Sequence, residues 1–336
     1  MDPFERIPVG DHGVEVTRLG MGGVFIAGRG PADGSSEAPA YETALATIAK
    51  AHEIGIKYFD TAPLYGEGRS EVRYGKVLSR YQRESFVLSS KVGRVLVPDL
   101  NNPGNWEIDG IARLTPKFDL SRDGILRALE EGLERSGLDH IEILYLHDPD
   151  VEDMEEAAMA TAFPTMIELR EQGVVKAIGT GMNQWEMPAR FVERFDLDII
   201  LLAGRYTLLD HDAYPDFLPL CVERNVKIAT GGPYNSGILA SQDLDGPLAF
   251  NYQQASPHWI DRARALKRVC DAHGVDMRAA ALQFPLAHPA VASVIPGAAT
   301  PDQVVENVQF IRTYIPEALW SDMKSEGLIP ADAPTP

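Results

Sequence analysis

The stretch at residues 55–78, GIKYFDTAPLYGEGRSEVRYGKVL, decides the predicted fold, because it contains a buried strand, a polar turn and the start of a helix. Its apolar run at 56–59 is typical of a strand in a sheet that helices cover on both faces. The run ends on Asp60, and Tyr65 follows in a glycine-rich turn. This pattern predicts an acid at the carboxyl end of one strand and a phenol in the loop after it.

Two further strand-like runs end on side chains that can take part in proton transfer. The run FVLSSK ends on Lys91, and the run IEILYL is followed by His147 in the motif LHDPD. An ammonium at the end of a buried strand needs a partner to offset its desolvation, and Asp60 is the obvious partner. We expect this pair to keep Lys91 charged and to lower the pKa of the nearby Tyr65 phenol.

Strand-like runs alternate with helix-like segments along the chain. The runs lie at 17–23, 56–60, 86–91, 141–146, 175–182, 197–203, 226–230 and 291–295. This alternation predicts an α/β fold with a parallel sheet, and eight units predict closure into a (β/α)8 TIM barrel with long loops at its C-terminal face. A turn at 10–13 predicts a β-hairpin before the barrel. We expect a single domain, 1–336, with the barrel at about 17–312 and a C-terminal tail at 313–336.

Composition limits the classes of function. The 336 residues are 45% hydrophobic, which is enough for one large core, and the net charge of −18 without a basic block argues against a nucleic-acid partner. The two cysteines lack CxxC spacing, and no histidine pattern indicates a metal site. No apolar run approaches the ~18 residues of a membrane span. The first twenty residues lack a signal-peptide pattern, so we expect a cytoplasmic protein with no membrane partner.

Each candidate side chain also has an ordinary structural interpretation. Asp60 alone could be a turn residue, and Tyr65 could cover apolar surface. The two acids of HDPD are interpreted as turn residues, with a minor role in pocket polarity as the alternative. Together, a phenol, a lysine and a histidine without a metal favour proton exchange at Tyr65 and hydride exchange with a nicotinamide. The alternative in another enzyme class is a barrel lyase that uses Lys91 as a Schiff-base amine.

The order of FDTAPLYG, SSK and LHDPD resembles the aldo-keto reductase superfamily. The resemblance runs from TRLGMG near the amino end to IPG and EN near the carboxyl end and covers nearly the whole chain. It implies a barrel whose catalytic tetrad corresponds to Asp60, Tyr65, Lys91 and His147, with His147 orienting the substrate oxygen. Some reductase-like barrels are regulatory subunits, so a non-catalytic NAD-binding subunit is a further alternative.

The resemblance also implies how a cofactor binds, since the family places its dinucleotide across the barrel mouth and this chain has no GxGxxG motif. The family commonly has a lysine and an arginine, which grip the 2′-phosphate of NADP, where this chain has Gly297 and Gln303. We therefore expect NAD, with NADP possible if Arg312 compensates. Gln303 is also expected to cap its helix. The implied cofactor contacts, with Asn183 at the carboxamide, are Gly22, Asn183, Thr230, Gly232, Pro233, Ile295, Gly297, Gln303, Glu306 and Asn307.

The segments FNYQQASPHWIDRARAL and AALQFPLAHPAVASVIPGA resemble a sugar-oxidising subgroup, the D-threo-aldose 1-dehydrogenases, and the related pyridoxal 4-dehydrogenase. The resemblance implies that a sugar or lactol, such as L-fucose, L-galactose or D-arabinose, is oxidised at its anomeric carbon to a lactone. The alternatives are a pyridoxal 4-dehydrogenase and an NADPH-dependent aldehyde or ketone reductase. Phe25, Trp106 and Tyr234 are candidates for the pocket wall, and the connection at 93–120 is a candidate substrate lid. The particular sugar and the oligomeric state are left open.

Overall fold

A sheet of eight parallel strands forms the centre of the computed structural model, which describes residues 1–28, 41–98 and 114–336. The three antiparallel pairs outside this sheet are β1 (Arg6–Val9) with β2 (Val14–Thr17), β6 (Arg94–Pro98) with β7 (Leu114–Phe118), and β12 (Ala249–Phe250) with β13 (Gln253–Gln254). The barrel strands are β3 (Met21–Gly22), β4 (Tyr58–Asp60), β5 (Val87–Val92), β8 (Ile143–His147), β9 (Ala177–Met182), β10 (Ile199–Ala203), β11 (Lys227–Gly231) and β14 (Val291–Ile295).

Hydrogen bonds between the first and last barrel strands close the sheet. Neighbouring strands pair in chain order from β3 to β14. At the seam, the Gly20 N–H donates to the carbonyl oxygen of Val294 at 2.9 Å, and the Gly22 N–H donates to that of Pro296 at 3.2 Å. The fold is therefore the predicted (β/α)8 barrel, and the carboxyl ends of all eight strands meet at one face.

Helices follow most of the barrel strands and cover the outside of the sheet. The N-cap of the third helix is Ser121, whose Oγ accepts from the Gly124 N–H at 3.1 Å. Within the described residues, no helix combines the length and apolar composition that crossing a bilayer requires. The helices are α1 (Tyr41–Glu53), α2 (Arg69–Leu78), α3 (Arg122–Ser136), α4 (Glu155–Ala157), α5 (Phe163–Glu171), α6 (Glu186–Arg194), α7 (Phe217–Glu223), α8 (Pro257–Ala272), α9 (Met277–Leu286), α10 (Pro301–Arg312) and α11 (Glu317–Ser325).

The core has one layer inside the barrel and another between the sheet and the helices. Successive side chains of a strand point to opposite faces, so Ala229 packs inside the barrel while Ile228 packs among the helices. Val14 and Val16 of the β1–β2 hairpin join the inner layer. Their packing fills one end of the barrel with apolar side chains, which leaves the polar side chains for the carboxyl ends of the strands.

The first barrel strand differs from its prediction. The run 17–23 was expected to be one strand, but Thr17 belongs to β2, where it pairs antiparallel with Arg6. Its Oγ1 donates to the carbonyl oxygen of Leu19 at 2.8 Å, and the chain turns there. Only Met21 and Gly22 pair with β4, whereas Arg18 and Gly20 bond to Val294 across the seam of the barrel.

Two long segments that were predicted to be a loop and a tail contain regular secondary structure. In the connection at 93–120, β6 and β7 form an antiparallel hairpin, whereas Trp106 lies outside the described residues. The tail at 313–336 contains α11, which buries Leu319, Trp320 and Met323 against the main core. The amphipathic pattern of that helix was available in the sequence.

Candidate active site

Asp60 and Lys91 form an ion pair inside the barrel, near the carboxyl ends of the neighbouring strands β4 and β5. Lys91 Nζ lies 2.8 Å from each carboxylate oxygen of Asp60 and 2.9 Å from the carbonyl oxygen of Thr61. These contacts use all three N–H bonds of the ammonium. The side chains of Lys91 and Asp60 are only 1% and 2% exposed. The structure thus brings together the two residues that the sequence predicted to be partners.

A polar network within the barrel holds this pair in place. Ser89 Oγ donates to Asp60 Oδ1 at 2.7 Å, and the hydroxyls of Tyr58 and Tyr145 share a hydrogen bond of 2.9 Å. Burial raises the pKa of Asp60, against the opposing charge of Lys91, and burial lowers the pKa of Lys91, against the charge of Asp60. Each charge therefore depends on the other for its stability.

Tyr65 lies in the turn after β4 and is packed against both Lys91 and His147. Lys91 Nζ is 4.7 Å from the centre of the Tyr65 ring, and the His147 ring meets the same ring edge-on, with 5.9 Å between centres. Burial, followed by the charge of Asp60, raises the pKa of Tyr65 well above its ordinary value. The predicted lowering of this pKa by Lys91 is therefore wrong for the free protein. Asp60 neutralises the ammonium, and removal of the phenol from water dominates.

His147 is the last residue of β8, and its imidazole is buried and neutral. Burial, and then the charges of Lys91 and Arg94, lowers the pKa of His147 well below its ordinary value. Its Nδ1 atom is buried without a hydrogen-bond partner in the described structure, and its Nε2 atom lies 3.4 Å from Asp148 Oδ2. A neutral imidazole carries one N–H and one bare nitrogen, so the side chain can donate one hydrogen bond or accept one.

A cavity of about 660 Å³ opens at the C-terminal face of the barrel, within the range of small-molecule and cofactor sites. Asp60 and Tyr65 reach it, whereas Lys91 and His147 contact Tyr65 without lining the cavity themselves. The predicted cofactor and pocket-wall residues that line it are Gly22, Phe25, Asn183, Gly232, Pro233, Tyr234, Ile295, Gly297, Gln303, Glu306 and Asn307. Trp106 is a predicted wall residue outside the described part of the chain.

Thr230 is the one predicted cofactor residue that the structure places away from the cavity. Its side chain is fully buried, and its hydroxyl has no hydrogen-bond partner among the described residues. Thr230 lies on the same face of β11 as Ile228, toward the helices, so the next residue, Gly231, faces the cavity instead. The sequence located the correct strand end but not the correct face.

The far end of the cavity carries acids and one arginine whose charge is already paired. Arg278 Nη2 and Nε lie 2.7 Å and 3.0 Å from the carboxylate of Asp276, and Arg278 Nη1 lies 3.7 Å from Glu306. Gln303 caps α10 as predicted, because its Oε1 accepts from the Ala299 N–H at 2.7 Å. Arg312, the cation considered as compensation for the missing pair, lies instead over the ring of Phe4 at 5.1 Å.

Gly297 has a steric reason for lacking a side chain. A Cβ atom at this position would lie 2.1 Å from Cδ2 of Phe25, far closer than two carbon atoms can approach. Phe25 thus occupies the space that a longer side chain at 297 would need. The other described wall residue, Tyr234, donates from its hydroxyl to Asn307 Oδ1 at 2.8 Å.

Sequence reasoning missed Arg205 and a hairpin turn on the rim of the cavity. Asn251 and Tyr252, both with positive φ, form the turn between β12 and β13. Arg205 Nη2 donates to Asn251 Oδ1 at 3.1 Å, and the Tyr252 hydroxyl donates to Asn183 Oδ1 at 3.3 Å. The position of Arg205 just after β10 was a usable signal, whereas an Asn-Tyr turn is a weak one.

Comparison with known proteins establishes the family. The sequence model of the aldo/keto reductase family matches residues 18–325, and the chain belongs to that family. It is 38% identical to D-threo-aldose 1-dehydrogenase from a Pseudomonas species, over 86% of this chain and 89% of that protein. It is 35% identical to pyridoxal 4-dehydrogenase from Microbacterium luteolum, over 97% and 98% of the two chains. The structure of an aldo-keto reductase from Bacillus halodurans has the same fold, with a TM-score of 0.72, 24% identity and 98% coverage of both chains.

Family membership defines the general chemistry of the protein. It is an oxidoreductase that acts on small molecules and uses a nicotinamide cofactor. Within residues 1–28, 41–98 and 114–336, no group of three or more His, Cys, Asp or Glu side chains is arranged to hold a metal ion. Asp60, Lys91, Tyr65 and His147 meet at the strand ends beside the cavity, and they are the candidates for the proton chemistry.

Proposed function

We propose that the protein oxidises the anomeric carbon of an aldose to a lactone, using NAD as the hydride acceptor. The observation that carries the chemistry is the contact of Tyr65 with both Lys91 and His147 at the edge of the 660 Å³ cavity. Similarity to D-threo-aldose 1-dehydrogenase supports the substrate class, with L-fucose, L-galactose and D-arabinose as the first candidates. Oxidation of pyridoxal is the second candidate, supported by similarity to pyridoxal 4-dehydrogenase along almost the whole chain.

In this proposal Tyr65 exchanges the proton of the substrate hydroxyl. When bound, the nicotinamide accepts the hydride that leaves the anomeric carbon. Lys91 stabilises negative charge that develops on the phenol oxygen, and Asp60 keeps Lys91 protonated and fixed. His147 donates its single N–H to the substrate oxygen, which holds the hydroxyl beside the phenol. The same residues in reverse protonate a carbonyl oxygen, so they also suit reduction of an aldehyde.

The charges around the cavity support NAD over NADP. A carboxylate can accept a hydrogen bond from a ribose 2′-hydroxyl but repels a 2′-phosphate. Glu306 lines the far end, and the nearby Arg278 is already paired with Asp276. Arg205 is the other arginine on the described cavity wall, and it is paired as well, with its Nη1 at 3.3 Å from Asp210 Oδ2.

Steady-state absorbance of the reduced nicotinamide tests the proposal, with L-fucose, L-galactose, D-arabinose and pyridoxal each assayed against NAD and NADP. We expect turnover of at least one sugar with NAD. Turnover confined to aldehyde reduction with NADPH would contradict both the proposed direction and the proposed cofactor. Turnover of pyridoxal alone would select the second candidate.

The variant Tyr65→Phe separates a chemical role from a structural one. We expect its turnover to fall by roughly 10³-fold, because the phenol proton is lost while the ring remains packed on Lys91 and His147. Cofactor affinity, measured by quenching of tryptophan fluorescence with NADH, should stay within about twofold of the wild type. Loss of NADH binding in this variant would make Tyr65 a structural residue.

A further inference from the structure

Asp148, which the sequence suggested to be a turn residue, directs its carboxylate at the active-site histidine. Its backbone has a φ of 44°, in the left-handed region that non-glycine residues seldom occupy. This conformation places Oδ2 at 3.4 Å from His147 Nε2 and 3.2 Å from Arg94 Nη2. The Asp148 side chain is 14% exposed, so the carboxylate is mostly removed from water. Aspartate adopts this conformation more readily than most residues, and here it brings the carboxylate next to the His147 ring.

The Arg94 guanidinium is held next to the Asp148 carboxylate. It begins β6, directly after the end of β5, and its guanidinium lies over the ring of Phe118 on β7 at 4.3 Å. The Asp119 N–H donates to the carbonyl oxygen of Gly93 at 3.0 Å, which closes this hairpin beside the barrel. The Arg94 side chain is 10% exposed. The pair of Asp148 and Arg94 is therefore largely buried between β6, β7 and the end of β8.

The two nitrogens of the His147 ring have different surroundings, which bear on the position of its proton. Nδ1 is buried without a hydrogen-bond partner, and Nε2 faces the Asp148 carboxylate. With the proton on Nδ1, the bare lone pair of Nε2 would face a negative oxygen. With the proton on Nε2, the positive end of the N–H lies beside that oxygen and the repulsion disappears, while the contact is an ion-pair contact rather than a hydrogen bond, so the N–H is left for a substrate oxygen.

Asp148 lies close to two tyrosines of the substrate cavity. After burial, the charge of Asp148 is the largest contribution that raises the pKa of Tyr252, and it also contributes to the raised pKa of Tyr65. Both tyrosines line the cavity. Asp148, and His147 through its contact with the Tyr65 ring, therefore both adjoin residues that line the cavity.

We propose that the ion pair of Asp148 and Arg94 positions the His147 proton on Nε2 and so keeps that ring able to donate to a substrate oxygen. Asp148 is thus a positioning residue that acts through His147. The proposal rests on the proposed function only in giving His147 the role of donor. The tautomer itself is a property of the free protein.

Protonation of Asp148 should remove this effect. Burial raises the pKa of Asp148 to about 6, against the opposing charge of Arg94. Because this pKa is raised, Asp148 carries its negative charge above about pH 6. The charge, and with it the effect on His147, is lost as the pH falls through that value. The charged or titratable groups that face Asp148 are Arg94 from β6, Lys91 from β5, His147 and Asp150 around β8, Tyr65 after β4 and Tyr252 between β12 and β13.

Long-range ¹H–¹⁵N NMR of the histidine rings tests the tautomer directly, in the full protein without substrate or cofactor. The His147 signal is assigned from its absence in His147→Gln. We expect the Nε2–H form in the wild type at about pH 7.5, and a mixture or the Nδ1–H form in Asp148→Asn. Glu152→Gln is the matched control, because it removes an exposed negative charge from the same turn, and it should keep the wild-type tautomer. An Nδ1–H wild type, or an unchanged tautomer in Asp148→Asn, would overturn the proposal.

The pH profile of kcat/KM gives the second readout, with 4-nitrobenzaldehyde and NADH as probes. In the direction of reduction Tyr65 stays protonated, so a decline at low pH reports on another group. We expect a decline with a midpoint near pH 6 in the wild type and in Glu152→Gln. In Asp148→Asn, kcat/KM should be lower by about 10- to 100-fold above pH 7, and the decline should vanish. If that decline persists in Asp148→Asn, the proposal is wrong, whichever sugar the enzyme oxidises.

Discussion

The two ends of the cavity differ in how the protein holds their charges. At the catalytic end, the side chains of Lys91 and Asp60 are 1% and 2% exposed and satisfy each other inside the barrel. At the far end, those of Arg278 and Glu306 are 25% and 47% exposed and lie on the outer helices α9 and α10. Buried charges are costly to change because each partner stabilises the other, whereas exposed charges are weakly coupled. The catalytic end should therefore determine stability and turnover, and the far end should adjust only the choice of cofactor.

The largest effect is expected from Lys91→Met, which leaves the Asp60 carboxylate buried without its cation. We expect a loss of about 3–5 kcal/mol in the free energy of unfolding, measured by urea denaturation. Turnover should fall by roughly 10³-fold, because Tyr65 loses the charge that stabilises its ionised form.

The double variant Asp60→Asn with Lys91→Met tests whether the stability loss comes from the unpaired charge of Asp60. With both charges removed, most of the lost stability should return while turnover stays low. If the double variant is less stable than Lys91→Met, the pair stabilises the barrel by packing or hydrogen bonding rather than by mutual charge. That result would remove the distinction drawn between the two ends.

The pH dependence of sugar oxidation gives a second test of the catalytic end. Tyr65 must accept a proton in this direction, and burial raises its pKa above the ordinary value. The fraction of ionised phenol therefore increases with pH, and kcat should rise about tenfold per unit between pH 7 and 9. A plateau that begins below pH 8 would mean that binding of the cofactor lowers the pKa of Tyr65.

The smallest effect is expected at the far end, from the double variant Gln303→Arg with Glu306→Gln. It adds a cation and removes an acid, so the ratio of kcat/KM for NAD to that for NADP should fall about tenfold, or ~1.4 kcal/mol. The helix loses the hydrogen bond that the Ala299 N–H donates to Gln303 Oε1, so a small decrease in stability is expected as well.

Arg312→Gln is the control for this cofactor test, because Arg312 lies over Phe4. Its cofactor ratio should match that of the wild type. A loss of NADP use in Arg312→Gln would mean that this arginine reaches the cofactor after all. A lysine at 297 is not a useful alternative, since its Cβ would collide with Phe25.

Much of the barrel could be predicted from sequence because each strand carries its own local signal. The apolar runs that end on Asp60, Lys91 and His147 gave the strands and, through the geometry of a parallel barrel, the face on which their side chains meet. The capping role of Gln303 was equally local and is confirmed. Thr17 and Thr230 were misplaced because hairpin pairing and strand face depend on contacts with distant parts of the chain.

The sequence by itself determined the barrel, the partnership of Lys91 with Asp60 and the lack of cations at Gly297 and Gln303. These features follow from local periodicity, from the cost of burying a lone charge and from residue identity. Only the tertiary structure decided that Asp148 faces His147, that Arg205 and Tyr252 reach the cavity, and that the Tyr65 pKa is raised. Burial and electrostatic neighbours come from segments far apart in the chain, so no local pattern encodes them.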